Sequence, residues 1–294
     1  MWRANELSRR AFLAASACVC GPALSQPRPA GRIVALDWVS GQSLLALGIV
    51  PLAMPELERY ARLVVEPAAP ASVRELGLRS EPNLEFVDQL APDLIVLPPQ
   101  LEPVRAQIDR IAPAMVFDPN GFGETDPLSH GARALQALAA RLDAVQAYED
   151  LARRLEMRFR EAAQRLRDYD GRPLYLATII DGRRMLVFGR GSLFQTVLDR
   201  LGIENAWTGM TSRFGHVTLT VDRLSQRPEA RLLCIGDSSR ASIATLLASP
   251  VVASLPFVGA GRIALIPDVL FYGGLPSAIR FVELASAALA QRVG

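Results

Sequence analysis

The sequence predicts an α/β protein of two lobes joined by one long helix, and three observations carry that reading. Short apolar strands alternate with helices ahead of residue 127, which argues for a largely parallel sheet. The same alternation resumes after Gly171-Arg172-Pro173. Between the two, from Pro127 to Tyr169, no Pro or Gly follows Gly131, as a helical stretch requires.

Taken in order, Arg32 to Leu36 reads as a buried strand, Gly41 to Leu47 as a short helix stopped by Gly48, and Ile49 to Met54 as a second strand. A loop-rich stretch with Pro55, Pro67 and Pro70 follows. Asn83 to Leu90 is helical, Asp93 to Leu97 a strand, Pro103 to Ile111 helical and Ala114 to Phe117 a strand. In the central stretch Leu142, Val145, Leu151, Leu155, Phe159, Ala162 and Leu166 keep three- and four-residue spacing over much of its length, so one face is apolar. Glu149–Arg153, Asp150–Arg154, Glu156–Arg160 and Glu161–Arg165 each place an acid four residues before an Arg, the favourable order on a solvated face. A helix from Asp143 to Asp168 spans about 39 Å at ~1.5 Å per residue, enough to link two lobes. Beyond it, Leu174 to Ile180 and Met185 to Phe188 are strands, and Leu193 to Leu201 is a helix closed by Gly202. Arg231 to Ile235 is a strand, Arg240 to Ala248 a helix, Arg262 to Ile266 a strand and Ser277 to Gln291 a last helix.

Residues 1–25 read as a signal peptide. Ser8-Arg9-Arg10-Ala11-Phe12-Leu13 matches the twin-arginine pattern, a short apolar stretch runs to Leu24, and Ala23-Leu24-Ser25 offers a small-residue cleavage site. Cys18 after Ala15-Ser16-Ala17 is a poor match to a lipidation site. The expected organisation is the signal segment 1–25, a first lobe 30–142, an interlobe helix 143–169 and a second lobe 172–294.

Composition narrows the chemistry. The chain has 294 residues, 50% hydrophobic and 21% charged, with a formal net charge of +2. Without residues 1–25 it is formally neutral, which argues against nucleic acid or an anionic membrane as partner. Every basic residue is Arg, so lysine Schiff-base and P-loop chemistry are excluded. With the signal removed, Cys234 is the one cysteine left, so neither an internal disulfide nor a cysteine-based metal site forms. The two histidines, His130 and His216, are too few for a multi-histidine metal cluster. Gly259-Ala260-Gly261 precedes a strand where a dinucleotide fingerprint follows one, and Gly189-Arg190-Gly191-Ser192-Leu193-Phe194 lacks the final Gly of a nucleophile elbow.

Three stretches remain unexplained by packing alone. Gly77-Leu78-Arg79-Ser80-Glu81-Pro82-Asn83-Leu84-Glu85 puts an Arg on a loop ahead of a helix. Asn205-Ala206-Trp207 through Arg213-Phe214-Gly215, then Val221-Asp222-Arg223-Leu224, puts aromatics on a loop of the second lobe. Leu270-Phe271-Tyr272-Gly273-Gly274 puts more on a loop before the last helix. Together with Leu44-Leu45-Ala46-Leu47-Gly48-Ile49-Val50-Pro51, Leu186-Val187-Phe188-Gly189 and Ser192-Leu193-Phe194-Gln195, they resemble the periplasmic ferric-hydroxamate (ferrichrome-type) siderophore-binding proteins of ABC importers. That family belongs to the helical-backbone class of substrate-binding proteins, and the resemblance runs over nearly the whole chain.

The resemblance implies two α/β lobes, one long interlobe helix and a shallow ligand cleft between the lobes. It implies an Arg and a Tyr on the hydroxamate oxygens around Fe(III), and by motif these fall on Arg79 and Tyr272. Leu63, Leu101 and Leu270 stand where the family has aromatic lining residues, and Phe214 stands where a Trp would. His216, two residues from Phe214, is a further candidate for the cleft. Acidic residues that meet the membrane permease are assigned to Glu102 and Asp222. The iron is already chelated, so no cofactor and no metal ligand from the protein is expected. The expected protein is therefore a periplasmic, monomeric binding protein and not an enzyme. Its ligand is a ferric hydroxamate, with another iron chelate, haem or a corrinoid as the alternatives in its own class. The rival from another class is an exported siderophore hydrolase, which needs a nucleophile beside a base, or a metal site.

Overall fold

The computed structural model describes residues 31–290, so the expected signal segment 1–25 lies outside the described residues. The described chain forms two α/β lobes, each built on a five-stranded sheet. The first sheet has the order β3-β2-β1-β4-β5, with β1 Ile33–Ala35, β2 Ala53–Met54, β3 Arg74–Glu75, β4 Leu94–Leu97 and β5 Ala114–Val116. All its pairings are parallel. The second has the order β10-β9-β6-β7-β8, with β6 Leu174–Ile179, β7 Arg184–Phe188, β8 His216–Thr220, β9 Arg231–Ile235 and β10 Ile263–Ile266. There β6, β9 and β10 run parallel, and β7 is antiparallel to both β6 and β8.

Helices α1 Trp38–Ala46, α2 Leu57–Leu63, α3 Leu84–Gln89 and α4 Arg105–Ile108 accompany the first sheet. Helices α5 Pro127–Arg141 and α6 Val145–Arg165 carry the chain across. Then come α7 Leu193–Leu201, α8 Asp237–Leu247, α9 Pro250–Ala253, α10 Pro256–Gly259 and α11 Leu275–Ala290. Several starts are set by side-chain caps. The Asp37 carboxylate accepts the Ser40 N–H at 3.1 Å, Asn83 accepts that of Phe86 at 2.9 Å, and Ser192 accepts that of Gln195 at 3.1 Å. Gly202 ends α7 at φ 68°, a backbone that suits Gly.

The structure departs from the sequence reading where a local signal meets a partner from elsewhere. Because of the Asp37 cap, α1 starts at Trp38 rather than Gly41. Helix α2 and strand β8 lie in stretches read as loops. The helix expected from Pro103 opens instead as a 3-10 turn, Pro99–Val104, with Pro103 inside it. A proline withholds an N–H and breaks an α-helical ladder. The central stretch is two helices, because Asp143 takes a left-handed φ of 53°. Helix α6 then has 21 residues, about 31 Å at ~1.5 Å per residue.

Its ion pairs are also rearranged. Of the four expected pairs, Glu149–Arg153 forms, at 3.8 Å. Asp150 pairs with Arg153 instead of Arg154. Glu156 goes to Arg200 of α7 at 2.8 Å, and Glu161 to Arg158, which also reaches Glu283 of α11 at 3.5 Å. Neighbouring helices supply partners that a single helix cannot show. The apolar face behaves as the spacing demands, with Leu151, Leu155, Phe159 and Ala162 all buried.

One hydrophobic core runs through both lobes, from Ile33 and Leu94 through Leu155 and Phe281 to Leu174 and Leu233. Helix α11 makes this possible by packing on α6, α7, α5 and α1. At its centre Phe281 stacks on Phe194 with ring centroids 4.2 Å apart, and both rings are fully buried. Phe281→Ala is expected to cost about 3–5 kcal/mol of folding free energy, from lost burial plus the cavity left behind. Urea unfolding monitored by circular dichroism reads it; a loss under ~1 kcal/mol contradicts this account of the shared core.

Candidate binding site

Parallel strands deliver their following loops to one edge of a sheet, and ligands of α/β proteins bind outside that edge. In the first sheet, Asp37-Trp38 follow β1, Glu56 follows β2, Arg79 follows β3, Leu101-Glu102 follow β4 and Phe122 follows β5. In the second sheet, Tyr272 follows β10. Phe122 meets Phe214 edge-on at 4.8 Å and Tyr272 at 5.4 Å, so the two sets of loops touch.

Arg79 is held from two sides. Its Nε donates to Glu56 Oε2 at 2.8 Å, and its guanidinium lies 3.7 Å over the Trp38 ring. Trp38 is fixed in turn by donating its indole N–H to Pro55 O at 3.1 Å. Glu56, a non-glycine residue at φ 50°, is set in place by Glu75. The Glu75 carboxylate accepts the N–H groups of Glu56, Leu57 and Gly77, each at 2.7 Å. Among the described residues, the two terminal nitrogens of Arg79 have no hydrogen-bond partner, and the side chain is 41% exposed. They form a fixed fork of donors suited to an anionic oxygen. Asp37 nearby is partly buried, and desolvation raises its pKa against the pull of its Ser40 and Val39 hydrogen bonds and the Arg79 charge.

A second cluster is aromatic. Tyr272 Oη and His216 Nε2 share a hydrogen bond of 2.7 Å. His216 opens β8, paired with Phe188 at the end of β7, and its ring stacks on Phe214 at 6.1 Å. Burial lowers the His216 pKa from 6.5 and raises that of Tyr272 from 10.0, so both are neutral at pH 7.

The structure thus joins Tyr272, Phe214 and His216 into one cluster and does not bring Arg79 into it; Arg79 and Tyr272 share no hydrogen bond among the described residues. The three leucines contribute mostly to cores. Leu101 and Leu270 are buried at 8% and 9% exposure, and Leu63 is partly buried against the core. Glu102, paired with Arg105 at 3.3 Å, and Asp222 are exposed. Sequence reasoning missed Phe122, Trp38 and Glu56. A large aromatic just after the first strand, as Trp38 is, was the available signal for one of them. Four cavities of 250 to 800 Å³ lie away from both Arg79 and Tyr272. No group of three or more His, Cys, Asp or Glu among the described residues is placed to hold a metal ion.

Comparison with known proteins agrees with this layout. The sequence profile of the periplasmic binding protein family matches residues 33–270. The chain is 38% identical to the iron(3+)-hydroxamate-binding protein FhuD of Escherichia coli, covering 96% of this chain and 97% of that one. Among solved structures it resembles the Fe3+–Desferal-bound siderophore-binding protein FhuD of Vibrio cholerae, with a TM-score of 0.82 and 26% identity over 89% of this chain and 98% of that one. The petrobactin-binding protein YclQ of Bacillus subtilis shares the fold, with a TM-score of 0.72 and 16% identity over 90% and 94% of the two chains. The chain belongs to the periplasmic binding protein family.

The partly buried His216 imidazole has a pH signature. An NMR titration of the His216 ring protons should give a pKa below 6.5. The unfolded chain then binds this proton more readily than the folded one, so stability is full above pH 6.5 and declines as pH falls through the lower folded value. His216→Phe should remove that part of the acid-side decline. A folded pKa at or above 6.5 contradicts the burial argument.

Proposed function

We propose that this chain captures a ferric hydroxamate chelate in the periplasm and delivers it to the membrane permease of an ABC importer. The observation that carries the reading is the unpartnered donor fork of Arg79, held by Glu56 and Trp38 on one wall, with the Tyr272–His216 pair on the other. Hydroxamate oxygens around Fe(III) carry negative charge. Arg79 donates to them from its terminal nitrogens. Tyr272 donates its O–H to a second oxygen, while His216 Nε2–H donates to the phenol oxygen behind it. Phe122 and Phe214 cover the carbon chain of the chelator. The chelator fills the iron's coordination sphere, so the walls need donors and apolar surface rather than metal ligands. The relative that is 38% identical binds iron(3+)-hydroxamate by its description, and the Vibrio cholerae neighbour holds Fe3+–Desferal.

The remaining roles follow from the same reading. The twin-arginine segment 1–25 exports the chain, and the mature protein works as a monomer. Glu102 after β4 and Asp222 after β8, both exposed, are the acids that meet the permease. Leu63, Leu101 and Leu270 leave the cleft less aromatic than the family pattern. Haem is the second reading, and the Tyr272–His216 hydrogen bond favours it, because a phenol able to pass its proton to an imidazole is a competent axial ligand.

The test is a tryptophan fluorescence titration with a ferric hydroxamate, a ferric catecholate and haem. Trp38, under Arg79, is the reporter. Saturable quenching by the hydroxamate is expected, weakened roughly 10- to 100-fold in Arg79→Ala, as for about 1.5–3 kcal/mol of charged hydrogen bonding. Binding of haem with a Soret band, and no response to the hydroxamate, overturns the ligand assignment.

A further inference from the structure

A second charged site lies at the far end of the second lobe. Parallel β6, β9 and β10 begin there, and Arg172, Arg231 and Arg262 stand at or just before their first residues. Arg165, at the end of α6, joins them. The four arginines line a cavity of about 460 Å³ together with two aspartates, Asp168 and Asp170, and with Leu289 and Ala290 at the end of α11. Helix α11 starts three residues after Tyr272 and runs 16 residues to this cavity, about 24 Å. The cavity is therefore distinct from the aromatic wall of the cleft.

The positive charge here is poorly compensated. Arg231 is only 8% exposed, yet its side chain makes no hydrogen bond among the described residues. Its nearest acid is Asp170 at 3.9 Å, and it lies 5.4 Å over the Tyr169 ring. The same Asp170 oxygen is already engaged by Arg172 Nε at 3.2 Å. Arg262 has a buried Nε with no partner. Its remaining contact is from Nη1 to Glu229 O, an oxygen it shares with Arg172. Burial and the neighbouring Arg172 and Arg231 charges lower the Arg262 pKa, but a guanidinium does not give up its proton in a protein. A cation that cannot neutralise, and whose nearest carboxylate is already held by another Arg, is stabilised by an added anion.

We propose that this arginine cavity is a binding site for a phosphate-type oxyanion, either free or carried by a lipid headgroup. The planar forks of Arg231 and Arg262 supply paired donors to such oxygens, and Arg165 and Arg172 sit at the rim. The site is separate from ferric chelate capture.

The experiment is calorimetric titration of the protein with inorganic phosphate at low ionic strength, with parallel sedimentation of phosphatidylglycerol vesicles. Saturable phosphate binding is expected, weakened roughly tenfold or more in Arg262→Gln. Arg172→Gln, on a 43% exposed side chain, should weaken it too without risk to folding. Quenching by the ferric hydroxamate should stay unchanged in both. Vesicle binding that needs Arg262 and is displaced by phosphate assigns the anion to lipid; phosphate binding without vesicle binding assigns it to the free ion. The proposal is overturned if neither probe binds, or if binding survives both substitutions.

Discussion

One carboxylate sets the first wall of the cleft. Glu75 ends the edge strand β3 and accepts three backbone N–H groups, from Glu56, Leu57 and Gly77. Those bonds tie the loop after β2 to the loop after β3. They also hold Glu56 at a φ of 50°, a conformation that a residue with a Cβ adopts only under constraint. Glu56 so placed can hold both Arg59 and Arg79, and Arg79 can then lie flat on Trp38. The exposed end of this chain is a guanidinium with two nitrogens to spend. An Arg on a free loop would lose rotamer entropy on binding, whereas this one has lost much of it on folding.

The fold was legible because its signals are local and repeated. Apolar runs such as Leu94–Leu97 and Arg231–Ile235, and caps such as Asn83 and Ser192, announce themselves within a few residues. Misreadings occur where tertiary partners decide. Strand β8 is polar and half exposed, and it exists because β7 offers it an antiparallel edge. The charges of α6 satisfy the i,i+4 rule on paper, but α7 and α11 bring Arg200 and Glu283 to better positions. The turn at Asp143 carries no Gly or Pro, so nothing in the sequence marks it.

The site was legible in part. Arg79, Phe214, His216 and Tyr272 stood out as motif residues, and three of them, Phe214, His216 and Tyr272, form one cluster. Phe122 did not, because its importance lies in contacts to Phe214 and Tyr272, more than ninety residues away in sequence. Glu56 was hidden for the same reason, since its partners come from β3 and the loop beyond it. Leu101 and Leu270 show the converse. Both were read as lining positions, and both side chains are buried in hydrophobic cores.

How far the lobes move relative to each other follows from what crosses between them. The chain passes from the first sheet to the second through α5 and α6, but the covalent link is the smaller part of the connection. Helix α11 packs within its own lobe on α7 and at once on α1 and α5, so a hinge motion would have to shear the buried contacts of α11 with α1 and α5. Phe122 adds a contact at the cleft itself. Cores packed at this density resist continuous deformation. The two lobes are therefore held close to one relative arrangement. The parts free to adapt are exposed ones, such as the loop around Met210.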